Sequence, residues 1–279
     1  MGNDGIVCDN RIISKTEDVL TPKELKSRWL FGVPIVDNEG NELPDEVLQQ
    51  YIDIATSYIE HELDISIVPQ RCIYEHKDYF ANDYWEWGFF QLNNIPVISI
   101  EKLQVVYLQN PPGMSNDSNV VLDIPEEWVR LRNHDGMIRL IPNNKFPASL
   151  QIGAAGSFFP ELFRRHSNVP HLWRFEYTSG FAPGKIPLVV NQAIGLLASV
   201  YALNIAGDLV IGAGIAAQSL SLDGLSQTIQ TTASATNHAY SAKVLEYRKK
   251  LYGEGINSPD RGLMRVLKDY YQGSRINII

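Results

Sequence analysis

The sequence predicts an α+β protein in which N- and C-terminal helices form a helical bundle with an inserted β-rich region. Apolar residues recur at helical spacing before residue 69 and after residue 183, whereas between these positions they alternate in short runs broken by Pro, Gly and Asn. With 279 residues, 44% of them hydrophobic, the chain is long enough to bury a sizeable core. The predicted domains are an N-terminal arm at 1–20, a helical core at 21–68 and 184–273, a β-rich domain at 69–183, and a C-terminal tail at 274–279.

Two helices are expected before the β-rich region. Thr21-Pro22-Lys23-Glu24 combines an N-cap hydroxyl, a first-turn proline and a glutamate placed for a capping box, and Gly32 is expected to close this short helix. After Pro44, apolar residues at helical spacing predict an amphipathic helix that ends near Asp64. These apolar residues are Val47, Leu48, Tyr51, Ile52, Ala55, Tyr58, Ile59 and Leu63.

The middle third of the chain predicts short strands, because its apolar residues alternate with polar ones. Asn110-Pro111-Pro112-Gly113 and Asn133-His134-Asp135-Gly136 supply the turn residues between strands. The expected strands are Arg71 to Tyr79, Phe89 to Leu92, Ile98 to Leu108, Trp128 to Leu131, Met137 to Ile141, Leu150 to Ile152 and Trp173 to Tyr177.

An uncharged helix is expected from Pro187 to Gly207. It is long enough to span a bilayer, but polar residues such as Asn191 and Asn204 interrupt it and Asp208 follows at once. Burial in the core or against another subunit is therefore the preferred interpretation.

The remaining C-terminal segments alternate between linker and helix. Residues 212–236 are rich in Gly, Ala, Ser and Thr and predict a permissive, extended or partly ordered linker. Apolar spacing predicts a helix from Tyr240 to Leu251 with Gly253 as its C-cap. Ser258-Pro259 is expected to begin a last helix that Gly273 stops, and the apolar tail after it is expected to dock against something.

Charge and cysteine content exclude several classes of protein. Twenty-four Lys and Arg against 32 Asp and Glu leave a net charge of -8, which disfavours general binding to nucleic acid. Cys8 and Cys72 form no CxxC pair and no disulfide framework, so a reducing compartment such as a bacterial cytoplasm is expected. No basic segment followed by an apolar run begins the sequence, so no secretory signal is expected.

The sequence offers little evidence of enzymatic chemistry. His61-Glu62 begins like a zinc-protease motif, but position 65 is Ile65 where the second histidine belongs. Gly212-Ala213-Gly214-Ile215-Ala216-Ala217 spells a dinucleotide pattern without the helix and the acidic residue that such a site needs. Because nucleophile-elbow, phosphate-loop and EF-hand spacings are also missing, we expect no enzyme, no cofactor and no metal site.

The densest unusual feature is an aromatic cluster from Tyr79 to Phe90. Its rings favour an interface or core role, with Tyr84, Trp85 and Trp87 as candidate contacts to another subunit or a partner. Phe158 and Phe159 form a similar candidate surface. An alternative is a carbohydrate-binding module in which the rings stack on a sugar, with Asp83 and Glu86 as an acid and base pair.

The order of several segments resembles the head-tail connector proteins of tailed bacteriophages, also called adaptor or head-completion proteins. The segments are the long helix, Asn94-Ile95-Pro96-Val97-Ile98-Ser99-Ile100-Glu101-Lys102-Leu103, Tyr177-Thr178-Ser179-Gly180-Phe181, Gly184-Lys185-Ile186-Pro187, Ala193 to Ala198, Ser221 to Thr228, and Tyr240 to Tyr252. This resemblance covers roughly residues 20 to 255.

The resemblance implies a non-enzymatic virion protein that forms a ring, expected to be twelve-fold, under the portal. Such a ring extends the DNA channel, offers a docking surface to stopper or tail proteins, and touches DNA only as the DNA passes. The protein is then expected in the virion neck, and in the host cytoplasm during assembly. The resemblance assigns portal binding to the C-terminal region, with Leu263, Val266, Leu267, Tyr270, Ile276, Ile278 and Ile279 as the apolar anchors.

Overall fold

The computed structural model describes residues 7–12, 19–36, 40–82, 89–106, 120–141, 166–211, 217–222, 225–230, 240–254 and 260–272. Helices and antiparallel sheets both occur in these ranges, which confirms the predicted α+β class. The chain divides into two compact units. The sheet unit comprises Met1–Ser14, Asp64–Pro183 and Tyr271–Ile279, and the helical unit comprises Lys15–Leu63 and Gly184–Tyr270.

The described part of the sheet unit is built mainly from strands. They are β1 (Val7–Ile12), β2 (Gln70–Phe80), β3 (Phe89–Gln91), β4 (Val97–Val106), β5 (Val120–Asp123), β6 (Val129–Arg132), β7 (Met137–Leu140) and β8 (Asn168–Ser179). The strands predicted at β2, β3, β4, β6, β7 and β8 are confirmed with shifted ends, whereas β1 and β5 were not predicted. The strand expected at Leu150 to Ile152 lies outside the described residues.

Two antiparallel sheets enclose the core of this unit. One has the strand order β1-β2-β8-β4-β5, and the other has the order β3-β7-β6. Phe90 of β3 contacts Trp173 and Phe175 of β8 edge-on, at ring-centroid distances of 5.0 and 5.3 Å. This edge-to-face geometry adds to the stabilisation from burial. The two sheets are therefore joined through aromatic side chains in a shared apolar core.

A buried carboxylate joins β2, β8 and the turn before β4. Glu75 has 0% exposure, and its carboxylate accepts hydrogen bonds from the Tyr177 hydroxyl and, at 3.0 Å, from the backbone N–H of Asn93. The ammonium of Lys77 lies 3.0 Å from the same carboxylate. Burial and the neighbouring Glu75 charge raise the pKa of Tyr177, so its hydroxyl stays protonated and continues to donate.

The opposite face of the five-stranded sheet carries a row of polar contacts. The guanidinium carbon of Arg174 in β8 lies 5.3 Å from the ring centroid of Tyr74 in β2, and Arg174 Nε donates to Gln104 of β4 at 2.8 Å. Gln104 in turn donates to Asp123 of β5 at 2.5 Å. Arg174 and Gln104 are almost completely buried, so these contacts compensate the loss of water around a charged group.

His76 is expected to make stability depend on pH. Its ring centroid lies 5.9 Å from that of His171, and its strand partner is Arg174. Burial lowers the pKa of His76 below the ordinary 6.5, a hydrogen bond with the His171 backbone opposes this, and the charges of His171 and Arg174 lower it further. The unfolded chain therefore binds this proton more readily, so stability is expected to fall as the pH drops below 6.5 towards the folded pKa. Thermal unfolding measured across this pH window checks the effect.

The matched variant for this pH series is His76→Gln, which keeps a polar side chain but does not titrate. We expect a flatter dependence of the unfolding temperature on pH in this variant than in the unaltered chain. The same dependence in both chains would contradict the role given to His76.

Helices dominate the described part of the helical unit. They are α1 (Pro22–Arg28), α2 (Asp45–Leu63), α3 (Leu188–Ile211), α4 (Ser241–Tyr252) and most of α5 (Leu263–Gln272). α3 packs against α1, α2 and α4. The side chains of α2 that face inward recur at helical spacing, which confirms the amphipathic prediction, and they are Leu48, Ile52, Ala55, Thr56, Ile59 and Leu63.

The predicted capping box is confirmed at the start of α1. The Thr21 hydroxyl accepts from the Glu24 N–H at 3.3 Å, and the Glu24 carboxylate accepts from the Thr21 N–H at 3.1 Å. The helix ends at Arg28, earlier than the predicted stop at Gly32. A hydrogen bond from the Leu30 N–H to the Leu25 carbonyl closes the last turn before that glycine is reached.

α3 is the longest described helix and is largely enclosed by protein. Its segment Leu188–Gly207 is long and apolar enough to cross a membrane, yet 61% of this apolar stretch is buried inside the protein. Helices that are apolar on nearly all sides are typical of protein cores as well as membranes.

One expectation for the C-terminal third was incomplete and another was wrong. Within the expected linker, β9 (Ala217–Leu222) and β10 (Leu225–Gln230) pair as an antiparallel hairpin. α5 begins at Leu263, not at Ser258-Pro259. The preceding turn has a positive φ of 67° at Gly262, whose N–H donates to the Asp260 side chain at 3.3 Å, so the helix starts only after this glycine.

Candidate functional site

Two of the α5 residues that were predicted to bind the portal are exposed to solvent. Val266 is 50% exposed and Tyr270 is 59% exposed, and residues four apart lie on one side of a helix. Leu263 is half-buried. Leu267 is only 5% exposed, so it packs within the chain and is not available to a partner in this conformation.

Many of the other predicted site residues lie outside the described residues. The start of the aromatic cluster is described, and there Tyr79 is fully buried whereas Phe80 is 44% exposed. Burial raises the pKa of Tyr79 to about 12. The residues outside the described ranges are Tyr84, Trp85, Trp87, Asp83, Glu86, Phe158, Phe159, Ile276, Ile278 and Ile279.

The two motifs that resemble enzyme sites lack the structural context of those sites. His61 is exposed on α2, and the Glu62 carboxylate lies 3.3 Å from the Lys268 ammonium. β9 begins at Ala217, where a dinucleotide site needs a helix. Within the described ranges, no group of three or more His, Cys, Asp and Glu side chains is arranged to hold a metal ion.

A groove of about 390 Å³ opens on the helical unit between the end of α1, the first half of α3, and α4. We call it the α1/α3/α4 groove. Its apolar lining comes from Trp29, Leu188, Leu196 and Tyr247, and Leu188 is 79% exposed. The groove therefore combines aromatic and aliphatic surface on one side of the unit, which is typical of a site that binds another molecule.

Close packing at Gly195 positions Trp29, one of the residues that line this groove. A Cβ atom at that position would overlap the ring of Trp29, so only glycine allows the indole to lie this close to α3. The Tyr247 hydroxyl donates to the Trp29 carbonyl at 2.6 Å and ties α4 to the end of α1. The three walls are thus held together by contacts between distant parts of the sequence.

Cations surround the apolar floor. Arg28, Lys243 and Lys250 line the groove. Glu246 accepts hydrogen bonds from the Lys250 ammonium at 2.6 Å and from the Lys243 ammonium at 2.9 Å, and these bonds lower the pKa of Glu246 to about 2. Lys243 also lies 4.9 Å from the ring centroid of Tyr247, within cation–π range.

A tyrosine cluster connects α2, α3 and α4. The rings of Tyr51 and Tyr201 are 6.3 Å apart, and Tyr58 is hydrogen-bonded to Tyr252. Burial and this hydrogen bond raise the pKa of Tyr252. Sequence reasoning placed Tyr51 and Tyr58 on the amphipathic helix but missed the cluster, because its other members lie far along the chain.

The groove was also missed by sequence reasoning. Trp29 and Gly195 carry no local signal of their proximity, since they are separated by most of the chain. Lys250, which lines the groove, belongs to a basic run that was interpreted only as support for the helix C-terminus.

No protein-family model matches the chain, and no curated protein matches it either. Solved structures do match. One is a chain from the virion of a native gene transfer agent (GTA) particle, with 14% identity and a TM-score of 0.43, and the match covers 96% of each chain.

Two further matches come from the necks of GTA particles. A chain from the neck of an empty particle, computed with C6 symmetry, has 16% identity and a TM-score of 0.39, and the match covers 70% of this chain and 82% of that one. A chain from the neck of a native particle, computed with C12 symmetry, has 16% identity and a TM-score of 0.38, with 70% and 81% covered.

Proposed function

We propose that this chain is a non-enzymatic structural protein of the neck of a tailed phage-like particle, where it forms a ring under the portal. In this role it extends the DNA channel and offers a docking surface to stopper or tail proteins. The observation that carries the proposal is the exposed pair of Val266 and Tyr270 on α5. This helix lies in the C-terminal region to which the sequence resemblance assigns portal binding.

The pair has the properties of a docking surface. α5 already buries Met264, Leu267 and Tyr271, and Val266 and Tyr270 extend this apolar surface into a part of the helix that is exposed to water. Tyrosine is enriched in protein interfaces because it offers both an apolar ring and a hydroxyl. A partner that covers this side of α5 removes apolar surface from water, which favours association.

The charge of the chain also fits passage of DNA through a ring. With 32 Asp and Glu against 24 Lys and Arg, the chain has a net charge of -8 and no overall attraction for the phosphate backbone. DNA that slides past such a ring therefore gains little from counterion release. The proposed partners are the other copies in a ring of twelve, the portal, and a stopper or tail-completion protein. Assembly is proposed to take place in the host cytoplasm.

The double variant Val266→Asp/Tyr270→Asp is expected to bind the portal at least about tenfold more weakly. In the complex, two apolar contacts would become charged groups that face an apolar surface. The measurement is co-sedimentation of the purified chain with the portal protein from the same source, followed by negative-stain electron microscopy of the complex. Circular dichroism checks that the variant folds.

The matched control is Leu245→Asp, which makes the same kind of change at a side chain of α4 that is 55% exposed. We expect this control to retain portal binding. Equal loss in both variants would contradict the role of α5. An unaltered chain that neither forms rings nor binds the portal would overturn the proposed function.

A further inference from the structure

The helical unit carries opposite charges on two of its helices. α2 contains five carboxylates, Asp45, Glu46, Asp53, Glu60 and Glu62, and no Lys or Arg. α4 contains four cations, Lys243, Arg248, Lys249 and Lys250, against one carboxylate, Glu246. A protein with a net charge of -8 therefore keeps a concentrated basic region on one helix.

The outward side of α2 combines this acidity with apolar surface. Glu46, Gln50 and Ser57 are exposed and recur at helical spacing, and Asp53 lies on the same side. Ile54 beside them is 53% exposed. One side of α2 thus offers carboxylates and an apolar side chain together.

The α1/α3/α4 groove has the complementary composition. Its apolar surface is offered mainly by Leu188, which is 79% exposed, and Arg28, Lys243 and Lys250 also line it. The two lysines share the single carboxylate of Glu246, so their pairing within α4 leaves an excess of positive charge at the groove. An acidic helix with an exposed apolar residue matches both features.

We propose that the α1/α3/α4 groove binds the outward side of α2 from a second copy of this chain. Because the groove and α2 are different surfaces, the contact is heterologous: each copy uses its groove on one neighbour and its α2 on the other. Repetition of such a contact gives a ring when the rotation closes. The inference rests on the proposed function, since it names the surfaces that join the subunits of the proposed ring.

Two charge-reversed chains test this contact. One carries Lys243→Glu and Lys250→Glu in the groove, and the other carries Glu46→Lys and Asp53→Lys on α2. The control carries Arg248→Glu and Lys249→Glu, which changes the charge of α4 by the same amount at residues that do not line the groove. Circular dichroism and thermal unfolding establish that each chain folds.

Sedimentation velocity over a concentration series, with negative-stain electron microscopy, measures self-association. The unaltered chain and the control are expected to associate with similar affinity. Each charge-reversed chain alone is expected to associate at least about tenfold more weakly, because like charges then face each other in every contact. An equimolar mixture of the two reversed chains is expected to recover association, since every groove then meets an α2 of opposite charge.

The results separate this inference from the proposed function. The groove contact is overturned if both reversed chains associate as the unaltered chain does. It is also overturned if the control is weakened equally, or if the mixture does not recover association. An unaltered chain that remains monomeric but still binds the portal overturns the groove contact and leaves the neck role standing. If the chain associates through the groove but does not bind the portal, the groove contact is supported and the neck role is overturned.

Discussion

Glu75→Ala is expected to lower the free energy of unfolding by about 3 kcal/mol, because a fully buried carboxylate that accepts several hydrogen bonds is lost. The substitution leaves the Tyr177 hydroxyl and the Asn93 N–H without their acceptor, and it leaves the Lys77 ammonium without its neighbouring carboxylate. The Tyr177 hydroxyl is buried, and a buried donor without an acceptor is costly because it has also lost its water. Urea unfolding followed by tryptophan fluorescence measures the loss.

The matched control is Glu101→Ala on β4. This carboxylate also accepts two hydrogen bonds, from Ser99 at 2.7 Å and Thr178 at 2.8 Å, but it is exposed to solvent. Water replaces those contacts, so a loss below about 1 kcal/mol is expected. Similar losses in the two variants would show that burial does not explain the contribution of Glu75 to stability.

Gly180→Ala is expected to destabilise the chain by about 3 kcal/mol, for two reasons that add. Gly180 has a φ of 111°, a conformation that residues with a Cβ atom rarely adopt. A Cβ atom there would also lie 2.7 Å from the Val68 carbonyl oxygen and 2.9 Å from Pro69 Cα, and neither backbone atom is free to rotate away. Thermal unfolding gives the size of the loss.

Gly184→Ala separates the two reasons. Gly184 also has a positive φ, of 71°, but a Cβ atom there would meet nothing within 4 Å. Only the backbone strain remains, so a loss of about 1 kcal/mol is expected. Equal losses at the two glycines would contradict the close approach at Gly180.

The helical elements illustrate what local sequence predicts well. The capping box at Thr21 and Glu24 and the C-cap at Gly253 were predicted, and both are confirmed. These signals involve residues within one helical turn, so their physical basis lies entirely in the neighbouring sequence. The late start of α5 was missed because the turn at Gly262 depends on a close approach to the Gly253 backbone.

The strands show where local pattern was insufficient. β2 and β8 were recognised from alternating residues, but β1 and β5 at the two edges of the five-stranded sheet were not. The hairpin of β9 and β10 lies in a segment whose small polar residues predicted a linker. In each case pairing with another strand provides the stabilisation, and pairing is not encoded in the composition of one segment.

The candidate site was predicted only in part. The sequence identified the apolar positions of α5, but it did not distinguish the exposed Val266 and Tyr270 from the buried Leu267. Helical spacing defines an apolar side and does not state which part of it the rest of the chain will cover. The α1/α3/α4 groove was not predicted at all, because its walls come from three separate segments.

By itself, the sequence determined the α+β class, the approximate positions of most helices and strands, the charge that disfavours nucleic-acid binding, and the uncharged character of α3. Each of these follows from composition or from residues close together in the chain. Only the tertiary structure decided that Glu75 accepts from Tyr177, 102 residues away, and that Gly195 admits the ring of Trp29. The reason is physical: burial and contact depend on which distant surfaces meet, and local spacing leaves that choice open.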